Sequence, residues 1–301
     1  MNIVFFTDIH LVSKSNINRI DNLPETQKNK LKEIIDVVSD KNIDIALSSG
    51  DVFDRHNPAI STMNTFTDFV ESLSIPFILC PGNHDLHGYN YKTLDTTGLG
   101  YTCKLLKANN EITLMKEDEE YIDYDNVRIH FKTTFDKNPM KEFIVDKTSN
   151  ETHIGIIHDM VYHKDFFGSV TTYDNFNTNL DVLFNGHIHV GHDPIYMNDT
   201  WFINSGSVNR MHKPKPLFYP RYAICELKND KKDWVFHNVV FKCSEKDIFN
   251  EIAKRTFNDF ISSIESKSIE SNALDYMFEK AKGSLNEYAF NTLNDLYGEV
   301  R

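Results

Sequence analysis

Five short apolar segments of this 301-residue chain each end at a group of Asp, Asn or His residues, often preceded by Gly. The pairs of segment and polar group are Asn2–Phe6 with Asp8 and His10, Ile43–Leu47 with Gly50 and Asp51, Ile75–Cys80 with Gly82 to Asp85, His153–Ile157 with His158, and Asp181–Asn185 with Gly186 to His189. Ligands of open α/β sheets bind beyond the carboxyl ends of the strands. If the five segments are strands of a shared sheet, all five polar groups converge on one edge.

Amphipathic helices are expected between the first three of these segments. Apolar residues recur at spacings of three and four in Pro24–Asp40 and again in Pro58–Leu73. The β-α-β-α-β order predicts a parallel sheet with helical crossovers. Short β-like segments between 105 and 131 predict antiparallel strands of a second sheet, and Ile195–Phe241 predicts a further antiparallel meander. The core is therefore expected to be a sandwich of two sheets.

The last part of the chain has a different pattern. No strand pattern appears after Phe241, and apolar residues at helical spacing follow. We predict a catalytic domain over 1–243 and a small helical C-terminal region over 244–301. The apolar stripes of this region fit either a cap that packs on itself or a segment that binds a partner.

Composition limits the classes of protein that the chain can represent. The net charge of −12 argues against general charge-driven binding to nucleic acid, although it leaves room for a local basic patch or bound divalent cations. No apolar run is close in length to the roughly 18 residues that a membrane span requires. The first residues lack the positively charged N-terminal region of a signal peptide. Four widely spaced cysteines suit a reducing compartment. We expect a cytoplasmic protein without membrane contact.

The polar groups at the segment ends have the composition of a two-metal centre. The candidate ligands combine carboxylate and amide oxygen with imidazole nitrogen, and they are Asp8, His10, Asp51, Asn83, His158, His187 and His189. Mixed nitrogen and oxygen ligation without thiolate suits Mn, Fe or Zn more than Ca or Mg. A carboxylate such as Asp51 can bridge two ions. Ions about 3.5–4 Å apart can clamp a phosphate and generate hydroxide near neutral pH.

Two further residues of the third group are candidate catalytic residues. His84 follows the candidate ligand Asn83 and can face the substrate phosphate, stabilise developing charge or protonate the leaving oxygen. Asp85 is predicted to orient His84 through a carboxylate–imidazole hydrogen bond.

Taken in order, these five motifs resemble those of the calcineurin-like metallophosphoesterase superfamily. Gly50–Asp54 followed by Pro58, and the Asn204–Ser207 turn, resemble the SbcD-type DNA repair exonuclease subunit, although Ser205 stands where that group has Pro. The resemblance implies a four-layer α/β/β/α sandwich of two mixed sheets. It also implies two divalent ions, commonly Mn²⁺, with DNA as substrate and an SbcC-like ABC ATPase as partner, bound through a C-terminal helical region.

The resemblance also assigns the ligands to two ions. One ion would be surrounded by Asp8, His10, Asp51 and His189, and the other by Asp51, Asn83, His158 and His187. His84 would act in the transition state. Whether the chain forms a homodimer stays open.

Several residues near the motifs are candidate substrate contacts. Arg210, Lys213 and Lys215 are interleaved with aromatic residues after the last histidine motif, and His56 lies near the predicted edge. The basic stretch fits a phosphate-backbone contact and a solvated loop equally well. The same metal ligands would serve small phosphoesters, nucleotides or phosphoproteins, so this function remains the alternative to a nuclease. A non-catalytic scaffold is disfavoured because every ligand position is filled.

Overall fold

The computed structural model describes residues 1–16, 19–107, 112–116, 121–133, 138–147, 151–165, 169–211, 218–228, 233–242 and 248. The strands within these ranges are β1 (Asn2–Phe5), β2 (Ile45–Ser48), β3 (Phe77–Leu79), β4 (Ile112–Leu114), β5 (Tyr121–Tyr124), β6 (Val127–Phe131), β7 (Glu142–Phe143), β8 (Thr152–Ile157), β9 (Val161–Tyr162), β10 (Thr171–Thr172), β11 (Asn177–Thr178), β12 (Val182–Asn185), β13 (Ile195–Met197), β14 (Thr200–Ile203), β15 (Arg221–Lys228) and β16 (Asp233–Val240). The helices are α1 (Leu23–Asp40), α2 (Ile60–Leu73) and α3 (Gly98–Leu106), with short 3₁₀ segments at His87–Tyr89 and Tyr91–Thr96.

The long strands form two six-stranded sheets with similar organisation. The first has the order β16-β15-β1-β2-β3-β4, and the second has the order β13-β14-β12-β8-β6-β5. In the first sheet β1 to β4 run parallel, while β15 and β16 join antiparallel. In the second sheet β14, β12, β8 and β6 run parallel, and an antiparallel strand closes each edge. Both sheets are therefore mixed, as expected.

The two sheets pack face to face through buried apolar side chains and form a sandwich. Ile3 and Phe5 of β1 pack in the same buried cluster as Ile154 and Ile156 of β8, between the sheets. Val4 of β1 belongs instead to the cluster that includes the helices. Because successive strand side chains point to opposite faces, β1 is buried on both sides. Each buried side chain of this size contributes about 1.5–3 kcal/mol to folding.

The three helices cover the outer face of the first sheet. In α1, the buried residues Leu31 and Ile34 pack in the same cluster as Phe66 and Phe69 of α2. The side chain of Asn22 accepts a hydrogen bond from the backbone N–H of Glu25 and so caps the start of α1. This arrangement confirms the predicted helical crossovers between β1, β2 and β3.

The outer face of the second sheet is covered differently. Leu183 of β12 and Ile157 of β8 pack there against Phe143, Tyr173 and Phe176. Among the described residues, this cover consists of short strands and loops instead of helices. The two mixed sheets and the helical layer of the expected sandwich are present, whereas the second outer layer is not helical in this part of the chain.

Three other details differ from the sequence-based prediction. Ile112–Leu114 runs parallel to β3 at the edge of the first sheet and is not an antiparallel strand of the second. The predicted meander after Ile195 is divided, because β13 and β14 join the second sheet while β15 and β16 join the first. Helix α3 was not predicted, since its two glycines weaken the helical pattern.

The predicted C-terminal region over 244–301 lies outside the described residues, except for Ile248. The boundary between this region and 1–243 therefore stays a prediction. Within the described ranges, no helix combines the length and apolar character that a bilayer crossing requires.

Candidate metal centre

The candidate ligands converge because five strands end at the same side of the sandwich. The loops after β1, β2 and β3 carry Asp8, Asp51 and Asn83, whereas those after β8 and β12 carry His158 and His187. Contacts between the loops fix their arrangement. The backbone N–H of Asp8 donates to the carbonyl of Gly50 at 3.1 Å, and the N–H of His187 donates to the carboxylate of Asp8 at 3.2 Å. The site therefore spans the ends of both sheets.

One group of ligand atoms comes from Asp8, His10, Asp51 and His189, which all lie within 4.8 Å of one another. Nε2 of His10 lies 3.1 Å from Nε2 of His189 and 3.5 Å from Oδ2 of Asp51. Nε2 of His189 is also 3.5 Å from Oδ1 of Asp8. These atoms face a common point, which is the geometry expected around one cation.

A second group of ligand atoms meets at the side chain of Asn83. Its Oδ1 lies 3.0 Å from Nε2 of His158 and 2.9 Å from Nδ1 of His187. Nε2 of His158 lies 3.3 Å from Oδ2 of Asp51. That same oxygen faces His10 in the first group, so the Asp51 carboxylate lies between the two groups.

The donor atoms of the second group fit a cation. Nδ1 of His158 donates to the carbonyl oxygen of Ser49 at 2.6 Å, so Nε2 of the neutral ring is a lone-pair donor. This nitrogen faces the amide oxygen of Asn83 and the carboxylate of Asp51, which are also hydrogen-bond acceptors. A divalent cation satisfies such a cluster of lone pairs. The set combines nitrogen and oxygen without thiolate, which suits Mn, Fe or Zn.

Burial and neighbouring charges set the protonation of the ligands. Burial lowers the pKa of His10 and of His187 to about 3, so both rings are neutral near pH 7 and able to bind metal. Burial also lowers the pKa of His158, but the Asp51 carboxylate outweighs this effect and raises that pKa to about 9. A cation at Nε2 of His158 would take the place of that proton.

The carboxylates respond to the same environment. Burial raises the pKa of Asp8. Burial acts in the same direction on Asp51, but the charge of His158 outweighs it and holds the pKa of Asp51 well below its usual range. Asp51 is therefore an anion near neutral pH.

Two glycines allow the loops to approach this closely. A Cβ added at Gly82 would lie 2.1 Å from Oδ1 of Asp51. A Cβ added at Gly186 would lie 2.5 Å from the hydroxyl oxygens of Thr7 and Ser49. Neither position has room for a side chain, which explains why glycine precedes a candidate ligand in each loop.

The sequence profile of the calcineurin-like phosphoesterase family matches residues 1–237. The chain belongs to this family. It is a metal-dependent phosphoesterase, and the His/Asp cluster described above has the donor atoms to hold a metal ion.

Solved structures share the fold of the phosphoesterase at low sequence identity. A dimetal phosphatase from Danio rerio is 10% identical with a TM-score of 0.52, and the match covers 79% of this chain and 95% of that one. The purple acid phosphatase PPD1 from yellow lupin seeds is 16% identical with a TM-score of 0.50. That match covers 83% of this chain and 52% of the lupin chain, so the phosphoesterase spans about half the length of the lupin protein. No curated protein is significantly similar in sequence.

His84 is held at the edge of the centre by two hydrogen bonds. Its N–H donates to Oδ1 of Asp51 at 2.8 Å, and its Nδ1 donates to the carbonyl oxygen of Asp54 at 2.9 Å. The ring lies edge-on to that of His10, with the centroids 4.8 Å apart. Because Nδ1 carries the hydrogen, Nε2 of His84 is the atom left to interact with a substrate.

The predicted hydrogen bond between Asp85 and His84 is wrong. The buried carboxylate of Asp85 accepts hydrogen bonds from the backbone N–H groups of Val52, Phe53 and Gly82, at 3.2, 3.1 and 2.9 Å. Burial raises the pKa of Asp85 to about 7. Asp85 therefore joins the loops that carry Asp51 and Asn83, and it acts as a structural support of the centre instead of a partner of His84.

Asp54, Thr7 and Ser49 are site residues that the sequence analysis did not identify. Oδ1 of Asp54 lies 3.8 Å from Nδ1 of His10, a buried nitrogen without a hydrogen-bond partner among the described residues. Ser49 donates to Thr7 at 2.7 Å, and Thr7 donates to Asp8 at 2.8 Å. Asp54 could have been identified from the sequence, because it ends the Gly50–Asp54 motif. No sequence pattern marks Thr7 or Ser49 as site residues.

The candidate substrate contacts have different outcomes. Arg210 is only 3% exposed and its carbonyl oxygen accepts a hydrogen bond from Arg19 at 2.6 Å, so neither the predicted substrate contact nor the alternative of a solvated loop fits this residue. His56 is half-buried and its ring lies edge-on to that of the exposed His87, with the centroids 4.8 Å apart. Lys213 and Lys215 lie outside the described residues.

Proposed function

We propose that this phosphoesterase hydrolyses phosphodiester bonds of DNA with two divalent ions, in the manner of an SbcD-like exonuclease subunit. The observation that carries the two-ion chemistry is the position of Asp51. Its Oδ2 lies 3.5 Å from Nε2 of His10 and 3.3 Å from Nε2 of His158, between the two groups of ligands. A shared carboxylate is suited to hold two ions at the about 3.5–4 Å separation that clamps a phosphate.

The ligand residues have distinct roles in this proposal. Asp8, His10 and His189 hold one ion, Asn83, His158 and His187 hold the other, and Asp51 binds both. The ions supply Lewis acidity at the phosphate and lower the pKa of water. We propose Mn²⁺ as the native metal because the resemblance to SbcD-type proteins implies it. The nitrogen and oxygen donors without thiolate suit Mn, Fe and Zn alike.

His84 is assigned to the reacting phosphate. Its Nδ1–H is held by the carbonyl of Asp54, which leaves Nε2 to stabilise charge on a phosphate oxygen or to protonate the leaving oxygen. The ring is half-buried and adjoins His10, so it can reach a phosphate bound at the centre.

Two motifs support DNA as the substrate. Gly50–Asp54 with Pro58, and the Asn204–Ser207 turn, resemble SbcD-type proteins. The turn also supports the centre physically, because the N–H of Ser207 donates to the carbonyl of His189 at 2.9 Å. By the same resemblance we propose an SbcC-like ABC ATPase as a partner of the 244–301 region. The four widely spaced cysteines support the proposal of a cytoplasmic location.

The proposal is tested with linear duplex DNA labelled at its ends. With Mn²⁺, the wild-type chain is expected to release nucleotides, whereas the His84→Ala variant should release them at least about a hundredfold more slowly. Covalently closed circular DNA serves as the control, because an exonuclease does not act on a substrate without ends. Absence of DNA cleavage, together with hydrolysis of p-nitrophenyl phosphate, would contradict the proposal.

Hydrolysis of small phosphoesters, nucleotides or phosphoproteins is the second candidate function. The net charge of −12 favours it, because an acidic protein repels a polyanion at long range. Comparison of kcat/KM for a small monoester, a nucleotide and an oligonucleotide decides between the two functions. A preference for the monoester of more than about tenfold supports this alternative.

A further inference from the structure

A groove of 840 Å³ opens beside the metal centre. Its walls are the segment after β1, which includes Lys14, and the segment before α2, which includes Arg55. Asp54 also lines the groove, and its carbonyl oxygen holds Nδ1 of His84. The groove therefore adjoins the centre through Asp54, the residue that holds His84.

The charge of this groove differs from that of the chain as a whole. The chain has 44 acidic and 32 basic residues, but the described lining of the groove has two cations, Lys14 and Arg55, and one acid, Asp54. The Arg55 side chain is 83% exposed, and its Nε lies 3.9 Å from Oδ2 of Asp54, which is a weak contact. Lys14 is exposed and forms no ion pair with the part of the chain that the structure describes. Both cations are available to an anionic ligand.

The other lining residues suit a ligand with alternating polar and apolar parts. Ser13 and Asn57 offer hydrogen-bonding groups, whereas Val12, Pro58 and Met211 offer apolar surface. A nucleic-acid strand has this character, since it alternates charged phosphates with sugars and bases. The volume lies in the range of about 300–1,000 Å³ that is typical of small-molecule sites, which is the size needed for a few groups of one strand.

We propose that this groove binds the single strand that continues from the phosphodiester at the metal centre, with Lys14 and Arg55 contacting phosphates next to the one that is cleaved. This inference rests on the proposed nuclease function and adds to it a substrate form, a strand with a single-stranded end. Cleavage of such a strand then depends on nucleotides beyond the scissile bond.

A series of single-stranded oligonucleotides of two to six nucleotides tests the inference with the full chain and Mn²⁺. The groove is expected to make kcat/KM rise about tenfold or more between the dinucleotide and the tetranucleotide, and then level off. Equal kcat/KM at every length would overturn the inference while leaving the nuclease function intact. Faster cleavage of a blunt duplex than of a duplex with single-stranded ends would also overturn it.

Charge variants connect this length dependence to the groove. The double variant Lys14→Gln/Arg55→Gln is expected to lose most of the rise with length. The slope of log kcat/KM against log salt concentration should become shallower by about 1.4, which corresponds to two phosphate contacts on a single strand. The matched control is Lys32→Gln, at an exposed lysine of α1 that pairs with Asp36 and is not part of the groove lining. A double variant with the salt slope of the wild type would refute the role of these cations.

A different result is expected if the chain is not a nuclease. If the chain hydrolyses p-nitrophenyl phosphate but no oligonucleotide of any length, both the proposed function and this inference are rejected. Metal content and circular dichroism of each variant confirm that the change in rate does not result from loss of the centre or of the fold.

Discussion

At the scale of single residues, the metal centre is built from unusual backbone conformations. Asp8, His10, Asp51 and His187 have positive φ angles of 53°, 47°, 50° and 69°. L-residues rarely adopt this left-handed region, and each instance costs on the order of 1–3 kcal/mol. The surrounding contacts, such as the hydrogen bonds of Asp85 to three backbone N–H groups, hold the loops in place. The chain is strained where its candidate ligands meet.

The first prediction at this scale concerns Asp51. Asp51→Asn keeps the shape of the side chain but removes the charge that both groups of ligands share. We expect the variant to bind fewer than two ions and to lose at least about a hundredfold in kcat. Elemental analysis of the Mn²⁺-loaded protein measures the metal content. Retention of two ions with normal activity would contradict the shared position of Asp51.

The second prediction separates His84 from the ligands. His84→Ala removes Nε2 but leaves all seven proposed ligands in place. Turnover is expected to fall about 10²- to 10⁴-fold while the metal content stays that of the wild type. Parallel loss of metal and activity would instead assign His84 to metal binding.

At the scale of helices and strands, the sequence predicts the features that depend on the local pattern of apolar and polar residues. The five strand ends were found because each apolar segment ends directly at a polar group, and α1 and α2 have clear helical spacing. Sheet membership was harder to predict, because β15 pairs with β1, which is distant in sequence, and β4 pairs with β3 across the helix α3 and not with β5, the next strand. The burial of Arg210 and the cover of the second sheet likewise depend on tertiary packing, which a local pattern does not encode.

An element-scale prediction concerns the contact between the segment after β10 and the loop after β12. The buried hydroxyl of Tyr173 donates to Nε2 of His192 at 2.6 Å, and Nδ1 of His192 donates to the carbonyl of Asp193 at 2.7 Å. Burial lowers the pKa of His192 to about 4, whereas an unfolded histidine has a pKa of about 6.5. The unfolded state therefore binds the proton first, and folding stability falls as the pH drops from about 6.5 to about 4.

Over this pH range, the shifted pKa of His192 lowers the free energy of unfolding by about 3 kcal/mol. Urea unfolding of the wild type at pH 7.5 and pH 5 measures the pH dependence. His192→Gln keeps an acceptor for Tyr173 but does not titrate, so its pH dependence should be smaller. His237→Gln, at an exposed histidine of β16, is the control that should behave like the wild type. An unchanged pH dependence in His192→Gln would refute the prediction.

At the scale of the whole molecule, the metal centre joins the two sheets. Asp8, Asp51 and Asn83 follow strands of the first sheet, whereas His158 and His187 follow strands of the second. Ions bound by both sets of residues would oppose separation of the sheets. The centre is therefore expected to contribute to stability as well as to catalysis.

This coupling gives a prediction for thermal unfolding. Mn²⁺ at about 100 times its dissociation constant should stabilise the folded chain by about 2.7 kcal/mol for each bound ion, which raises Tm by roughly 5 °C or more. Chelation with EDTA should reverse the shift. In Asp51→Asn the shift should be largely lost. A shift of equal size in this variant would indicate that the ions bind elsewhere.

The pairing of β1 with β15 also affects how the chain is made. Asn2 lies opposite Glu226, so one edge of β1 lacks its neighbour until the ribosome has synthesised that distant segment. The nascent chain exposes an apolar strand and carries Asp8 and His10 well before His189 is translated. A half-made centre would bind divalent cations weakly, because too few donors have emerged. Vectorial synthesis therefore delays assembly of the centre until nearly the whole sandwich is available.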